Sequence, residues 1–235
     1  IALNFANEKH AGGGPGIYKD LESNQIKWGG TLSAQAQEES LVNKSDLYSS
    51  LTLLSTRPEK KLGDTMVRNY YGNGGFDSRT TAYTSDNQLF GIQAGDFYTT
   101  QFLVTPCDVS FVTSAAVYYG SRTKVAVDDH SAVYIDATDR VRTHLYAAAK
   151  KAAEMKKRDA GKSVELILGA FGCGAFAPSN AKEYATMMAR IYKKELPKFD
   201  GFFDEITFAI PKMGRTHPKD SFVRNFNAFN SVIMS

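Results

Sequence analysis

Residues 4–41, NFANEKHAGGGPGIYKDLESNQIKWGGTLSAQAQEESL, decide the fold. A short apolar strand (Ile1, Ala2, Leu3, Phe5) breaks into a triple glycine, Gly12, Gly13 and Gly14, and the stretch closes on Gln37-Glu38-Glu39 at the head of an amphipathic segment. A strand feeding a glycine loop and then a helix gathers bare backbone N–H groups and a helix N-terminus, a combination that attracts phosphate or another anion. Two adjacent carboxylates beside such a junction point to acid/base chemistry on a phosphate-bearing ligand.

Composition sets the limits. A chain of 235 residues, 43% of them hydrophobic, can bury a full core, and one domain over 1–235 is expected. The chain opens at Ile1 directly in a core strand, so further residues upstream are expected to complete it. Net charge is only +3, and the basic run KKAAEMKKRD at 150–159 reads as the solvated face and basic end of a helix, so sequence-specific nucleic-acid binding is not expected. Two cysteines, Cys107 and Cys173, supply neither a disulfide framework nor a metal cluster, which points to a reducing, cytoplasmic setting; delivery into a host cell stays open. The four histidines are too dispersed for metal spacing, and no apolar run is long enough to make a membrane a partner.

Along the chain, Leu41, Leu47, Leu51 and Leu54 keep a helical stripe, with a break and fresh cap at Ser45-Asp46. Residues 57–79 read as loop. Strands are expected at 89–93, 98–105 and, most strongly, 107–117, followed by a loop over 118–134. A helix over 137–159 carries Val141, Leu145, Ala148, Ala152 and Met155, with Gly161 as its stop. The short buried strand at 164–168 runs into GAFGCGAFAPSN, Pro178 opens a helix that Pro197 ends, and 205–211 is the last strand. Strand, glycine turn, helix and strand make a βαβ unit, hence an α/β fold with a largely parallel sheet.

NFAN, GGG and QAQEESL, followed by SFVTSAA, RVRTHLYAAAKKA, LILGAFGCGAF and ITFAIP in that order, resemble the macrodomain of the microbial poly(ADP-ribose) glycohydrolases, with its GGG and QEE signature and its GAxGCGxF loop. The resemblance covers nearly the whole chain. It implies a three-layer α/β/α macrodomain with a mixed, largely parallel sheet, holding ADP-ribose in a cleft at strand ends. It further implies a hydrolase that cuts the glycosidic bond at the distal ribose, needing no cofactor and no metal, whose partners are ADP-ribose, ADP-ribosylated protein or the polymer. Position by position, Gly172, Cys173, Gly174 and Ala175 would wrap the diphosphate, and Phe176 would pack on the distal ribose. Asn7 would hydrogen-bond that ribose, while Gly12, Gly13 and Gly14 let the backbone approach. Glu39 stands where the family's catalytic acid stands, Glu38 would orient ribose hydroxyls, and Gln37 would support the loop.

The chemistry needs those residue types. Cleavage at an anomeric carbon develops oxocarbenium character and requires a proton on the leaving atom, which a carboxylic acid supplies; once ionised, it can activate water. The chain departs from the family between its GGG and QEE, where residues 15–36 intervene with Tyr18, Asp20, Glu22, Trp28 and a second glycine pair. A tryptophan and carboxylates at a catalytic edge could receive a guanidinium, so mono-ADP-ribose on arginine stands beside the polymer as substrate class. Plainer readings accompany each signal. Glycine triplets are often turns, and EE pairs are often dipole-friendly first turns. Phe171 reads as core, and Cys173 as small-residue packing rather than a nucleophile, with no partner histidine motif. GKS at 161–163 precedes a strand where a phosphate loop must follow one, and GAFGCGAF lacks the third glycine and downstream acid of a dinucleotide site. The rivals to a hydrolase are a non-catalytic ADP-ribose reader and, more remotely, a nicotinamide-dependent oxidoreductase.

Overall fold

Apolar strands and amphipathic helices alternate as expected, with boundaries that move. The computed structural model describes residues 1–7, 17–19, 26–28, 37–42, 44–56, 60–62, 65–67, 78–93, 100–211 and 220–235. In chain order the elements are β1 (Ala2–Ala6), β2 (Ile17–Lys19), β3 (Ile26–Trp28), α1 (Gln37–Val42), α2 (Leu47–Thr56), β4 (Lys60–Leu62), β5 (Thr65–Val67), β6 (Tyr83–Gln93) and β7 (Thr100–Ala115). Then come α3 (Ala132–Arg158), β8 (Glu165–Leu168), α4 (Ala181–Glu195), a 3-10 turn (Leu196–Phe199), β9 (Glu205–Phe208) and α5 (Asp220–Ile233). Five strands make a mixed, largely parallel sheet in the order β6-β7-β1-β8-β9, with β1 and β9 each parallel to β8. The pairs β2–β3 and β4–β5 are separate antiparallel hairpins.

Packing divides the chain into two units, one of Ile1–Leu3, Ser78–Thr84 and Val112–Ser235, the other of Asn4–Asp77 and Ser85–Phe111. In the first unit, α3 buries Val141, Leu145, Ala148 and Ala152, its helical stripe, while β8 buries Leu166 and Leu168 on alternate positions and leaves Glu165 exposed. Tyr192 of α4 anchors the aromatic core, its ring 5.3 Å from Phe208 and 6.1 Å from Phe229. The buried Glu195 carboxylate takes a bidentate pair of bonds from Arg142 at 2.8 and 3.0 Å and a third from Lys198 at 2.6 Å, tying α3 to the end of α4.

In the second unit, the break between α1 and α2 falls at Ser45-Asp46, as its sequence predicts. Ser45 Oγ donates to the Leu41 carbonyl at 2.7 Å and accepts from the Leu47 N–H at 3.2 Å. Asp46 accepts from Asn87 Nδ2 at 2.8 Å and from the Gln88 N–H at 2.9 Å, which docks the turn on β6. Leu47 and Leu51 are buried beneath it.

Several boundaries differ from the sequence expectation. The strands expected at 98–105 and 107–117 are one, β7, running through Pro106. Proline is tolerated because its half of the strand is exposed and the five-residue β1 cannot pair along all sixteen residues of β7, so no ladder bond need be lost there. The loop expected over 118–134 ends early, because Ser131 caps α3 by accepting from the Tyr134 N–H at 3.1 Å, five residues before the predicted start. The helix predicted from Pro178 begins at Ala181, after Asn180 has bonded Val125 through both its amide atoms. Residues 57–79 contain the β4–β5 hairpin, and the insertion at 15–36 contains β2–β3, with Ile17 paired to Trp28. Helix α5 has no counterpart among the elements expected from the sequence.

Candidate active site

The glycine loop after β8 grows out of the first unit's core. Phe171 is buried against His144, ring centroids 5.1 Å apart, as its core reading requires. Gly172 turns the chain with φ +73°, and a Cβ there would lie 3.0 Å from Tyr184 Oη and 3.1 Å from Ala116 Cβ, so both conformation and space demand glycine. The loop's carbonyls are tied. The Phe171, Cys173 and Ala177 N–H groups donate to the Gly169, Ala170 and Gly174 carbonyls, and the Tyr119 N–H donates to Phe176 O at 3.1 Å. Cys173 O accepts from Arg224 Nη2 at 3.0 Å and Asn225 Nδ2 at 3.1 Å. The N–H groups of Gly172, Gly174, Ala175 and Phe176 donate to nothing among the described residues. Carbonyls occupied and amides left over are the polarity an anion needs.

Two side chains complete the loop. Phe176 is half-buried, its ring edge-on to Tyr118 with centroids 5.4 Å apart. The Cys173 thiol is fully buried, donates to Phe171 O at 3.4 Å, and is pushed by burial up to about 12, partly opposed by the Arg224 charge. It is therefore a protonated packing group at neutral pH.

A separate acidic region lies in the second unit, at the end of β1. Gln37 Oε1, in the first turn of α1, accepts the Phe5 N–H at 2.7 Å. Glu38, 1% exposed, accepts the Asn7 N–H at 2.9 Å on one oxygen and Asn4 Nδ2 at 3.4 Å on the other. The strand's last amides are thus finished by α1 side chains instead of a neighbouring strand. Glu39 is in α1, but its side chain, like all of Gly12, Gly13 and Gly14, lies outside the described residues. Among the described residues no three His, Cys, Asp or Glu side chains gather to hold a metal, and no helix is long and apolar enough to cross a membrane.

No protein-family profile and no curated protein matches the chain. Solved structures do match. The poly(ADP-ribose) glycohydrolase of Deinococcus radiodurans in complex with ADP-ribose aligns at 27% identity over 99% of this chain and 74% of its own, with a TM-score of 0.62. The chain shares the macrodomain-type fold of the microbial poly(ADP-ribose) glycohydrolases. The poly(ADP-ribose) glycohydrolase of Thermomonospora curvata bound to the inhibitor ADP-HPD aligns at 24% identity over 98% of this chain and 69% of its own, TM-score 0.58. The apo Deinococcus enzyme aligns over 100% of this chain and 74% of its own at 22% identity, TM-score 0.56.

Within this glycohydrolase fold, sequence reasoning missed the residues that shape the loop from outside it. Arg224 and Asn225 stand about fifty positions downstream of Cys173, in a helix the pattern did not reveal. The available signal was SFVRNFNAFNSVI, whose Phe226 and Phe229 recur at helical spacing. Tyr118 and Tyr119, which brace Phe176, fall at the start of the stretch read as loop over 118–134.

Proposed function

We propose that this chain is an ADP-ribosyl glycohydrolase, cleaving the glycosidic bond at the distal ribose of an ADP-ribose modification with Glu39 as its acid and base. The observation that carries the reading is the glycine loop, with carbonyls held inward and four amides unclaimed, which suits a diphosphate. The solved relatives act on poly(ADP-ribose) or hold ADP-ribose, which supports the same ligand here.

In this reading the Gly172, Gly174 and Ala175 amides receive the diphosphate, Cys173 holds the loop's shape because its own N–H is spent on the Ala170 carbonyl, and Phe176 packs on the distal ribose. Asn7 bonds the ribose, and Gly12, Gly13 and Gly14 let the backbone come close. Gln37 and Glu38 act through the strand end they hold, Glu38 keeping Asn7 in position for the ribose hydroxyls. Glu39 donates a proton to the leaving atom as the C–O or C–N bond breaks and positive charge spreads over the ring oxygen and anomeric carbon. The resulting carboxylate then takes a proton from water as the water oxygen bonds that carbon, which restores the acid and yields free ADP-ribose.

The polymer is the first substrate to try. Arginine-linked mono-ADP-ribose is the second, argued from Trp28, Asp20 and Glu22 in the inserted segment. Incubation with labelled polymer and with arginine-modified protein separates them: release from the polymer alone removes the arginine reading. For the chemistry, Glu39→Gln should lower kcat by about 100-fold or more while calorimetric affinity for ADP-ribose stays near wild type. Binding without turnover in either protein would make the chain a reader and not an enzyme.

A further inference from the structure

We infer that Arg224 and Asn225 of α5 are positioning residues that aim the Gly174 amide at the ligand, an inference that rests on the diphosphate reading of the loop. The Cys173 carbonyl accepts from Arg224 Nη2 at 3.0 Å and Asn225 Nδ2 at 3.1 Å. Arg224 Nε also donates to Asn225 Oδ1 at 3.2 Å, which settles which way the asparagine amide faces: its oxygen to the guanidinium, its nitrogen to the loop. The two side chains therefore act as one fork.

A trans peptide is planar, with its C=O and N–H on opposite sides, and no peptide bond among the described residues is cis. Two donors on the Cys173 carbonyl consequently fix the plane of the Cys173–Gly174 peptide and turn the Gly174 N–H away from α5. That side is open: Gly174 is exposed, and a Cβ built on it would meet nothing within 4 Å. Donation to a carbonyl also polarises the N–H across the same amide, strengthening the bond it can give. Were the peptide to flip, a carbonyl oxygen would replace the amide and repel an anion. The guanidinium adds a fixed positive charge one peptide behind the amide.

Helix packing alone does not explain the fork. Ala228 and Phe229 already bury α5 through apolar contact, whereas Asn225, 7% exposed, spends a buried side-chain amide on a single loop carbonyl and the adjacent arginine. Sequence distance makes the arrangement more than a local turn, since 51 and 52 positions separate donors and acceptor.

The test uses the full chain with Asn225→Leu, of similar size but without a donor, Arg224→Met and Arg224→Lys. ADP-ribose is titrated by calorimetry, and inorganic pyrophosphate is titrated while the Gly174 amide is followed by NMR. Losing one charge-assisted bond should weaken both ligands by about tenfold in Arg224→Met, and Asn225→Leu should lose a similar factor. Arg224→Lys should recover part of the loss. In the unliganded variants the Cys173 carbonyl and Gly174 amide resonances should move together, which a general loss of stability would not produce in a protein still folded. Wild-type affinity in a folded Arg224→Met protein overturns the inference, as does affinity loss with both resonances unmoved. Should Asn225→Leu fail to fold, Arg224→Met decides, because its side chain is only half-buried. A wild-type protein that binds no ADP-ribose defeats the diphosphate reading instead, and the pyrophosphate titration then still judges the fork.

Discussion

The glycine loop and the end of β1 handle the backbone in opposite ways. In the loop, carbonyls are satisfied from inside and amides are left over; at the end of β1, the amides of Phe5 and Asn7 are satisfied by Gln37 and Glu38 oxygens. One region is prepared to receive negative charge from a ligand. The other already contains its own, a carboxylate that is 1% exposed. Glu38 accepts from Asn4 and Asn7 at the strand end, and the proposed chemistry falls to Glu39. The following predictions set the two regions against each other.

The largest effect should come from acid, through the loop's foundation. His144 is fully buried between Phe171 and Tyr192, shares a hydrogen bond of 3.0 Å with Tyr192 Oη through Nε2, and has no partner for Nδ1 among the described residues. Burial lowers it from 6.5 to about 3. A depressed value means that the unfolded chain binds a proton the folded one refuses. Stability is therefore full above pH 6.5 and declines as pH falls towards about 3, at roughly 1.4 kcal/mol per unit, of order 5 kcal/mol in all. Denaturant titrations from pH 7.5 to 4 should show that slope, and His144→Phe should flatten it. An unchanged slope in the variant would remove the loop's foundation as the acid-labile part of the first unit.

How far each region was legible follows from where its determinants lie. The loop could be read because its demands are local: Gly172 needs a positive φ, Phe171 enters the core, and Cys173 sits where only a small buried side chain fits. The acidic region could be read as far as residue identity, since QEE follows a strand and a glycine run. What Glu38 touches could not, because its partners Asn4 and Asn7 lie more than thirty positions away. The same separation hid Arg224 and Asn225. Strand β7 was missed as a unit because Pro106 signals a break that only an exposed strand half tolerates. The early start of α3 is a different case: its cap, Ser131, lies inside the stretch read as loop over 118–134.

Within the loop, two glycines should separate cleanly. Gly172→Ala forces a side chain into left-handed backbone at 3.0 Å from Tyr184 Oη and should cost about 2–3 kcal/mol, together with most ADP-ribose affinity. Gly174→Ala meets nothing and has no positive φ, so thermal unfolding should shift little. Comparable destabilisation by both would mean that the loop is held by general crowding and not by the one turn.

The smallest effect sharpens the comparison most, because it asks what the buried carboxylate is for. If Glu38 serves the strand end, its work is hydrogen-bond acceptance, and glutamine still offers an oxygen to the Asn7 N–H. Glu38→Gln should then cost about 1 kcal/mol, while Glu38→Ala, which strands a backbone donor, should cost about 2 kcal/mol. Turnover in Glu38→Gln should stay within about tenfold of wild type, set against the far larger loss expected for Glu39→Gln. A glutamine variant as stable as wild type but as inactive as Glu39→Gln would reverse the assignment. The negative charge on Glu38 would then be the group chemistry requires, and its bonds to Asn4 and Asn7 would be the means of holding that charge in place.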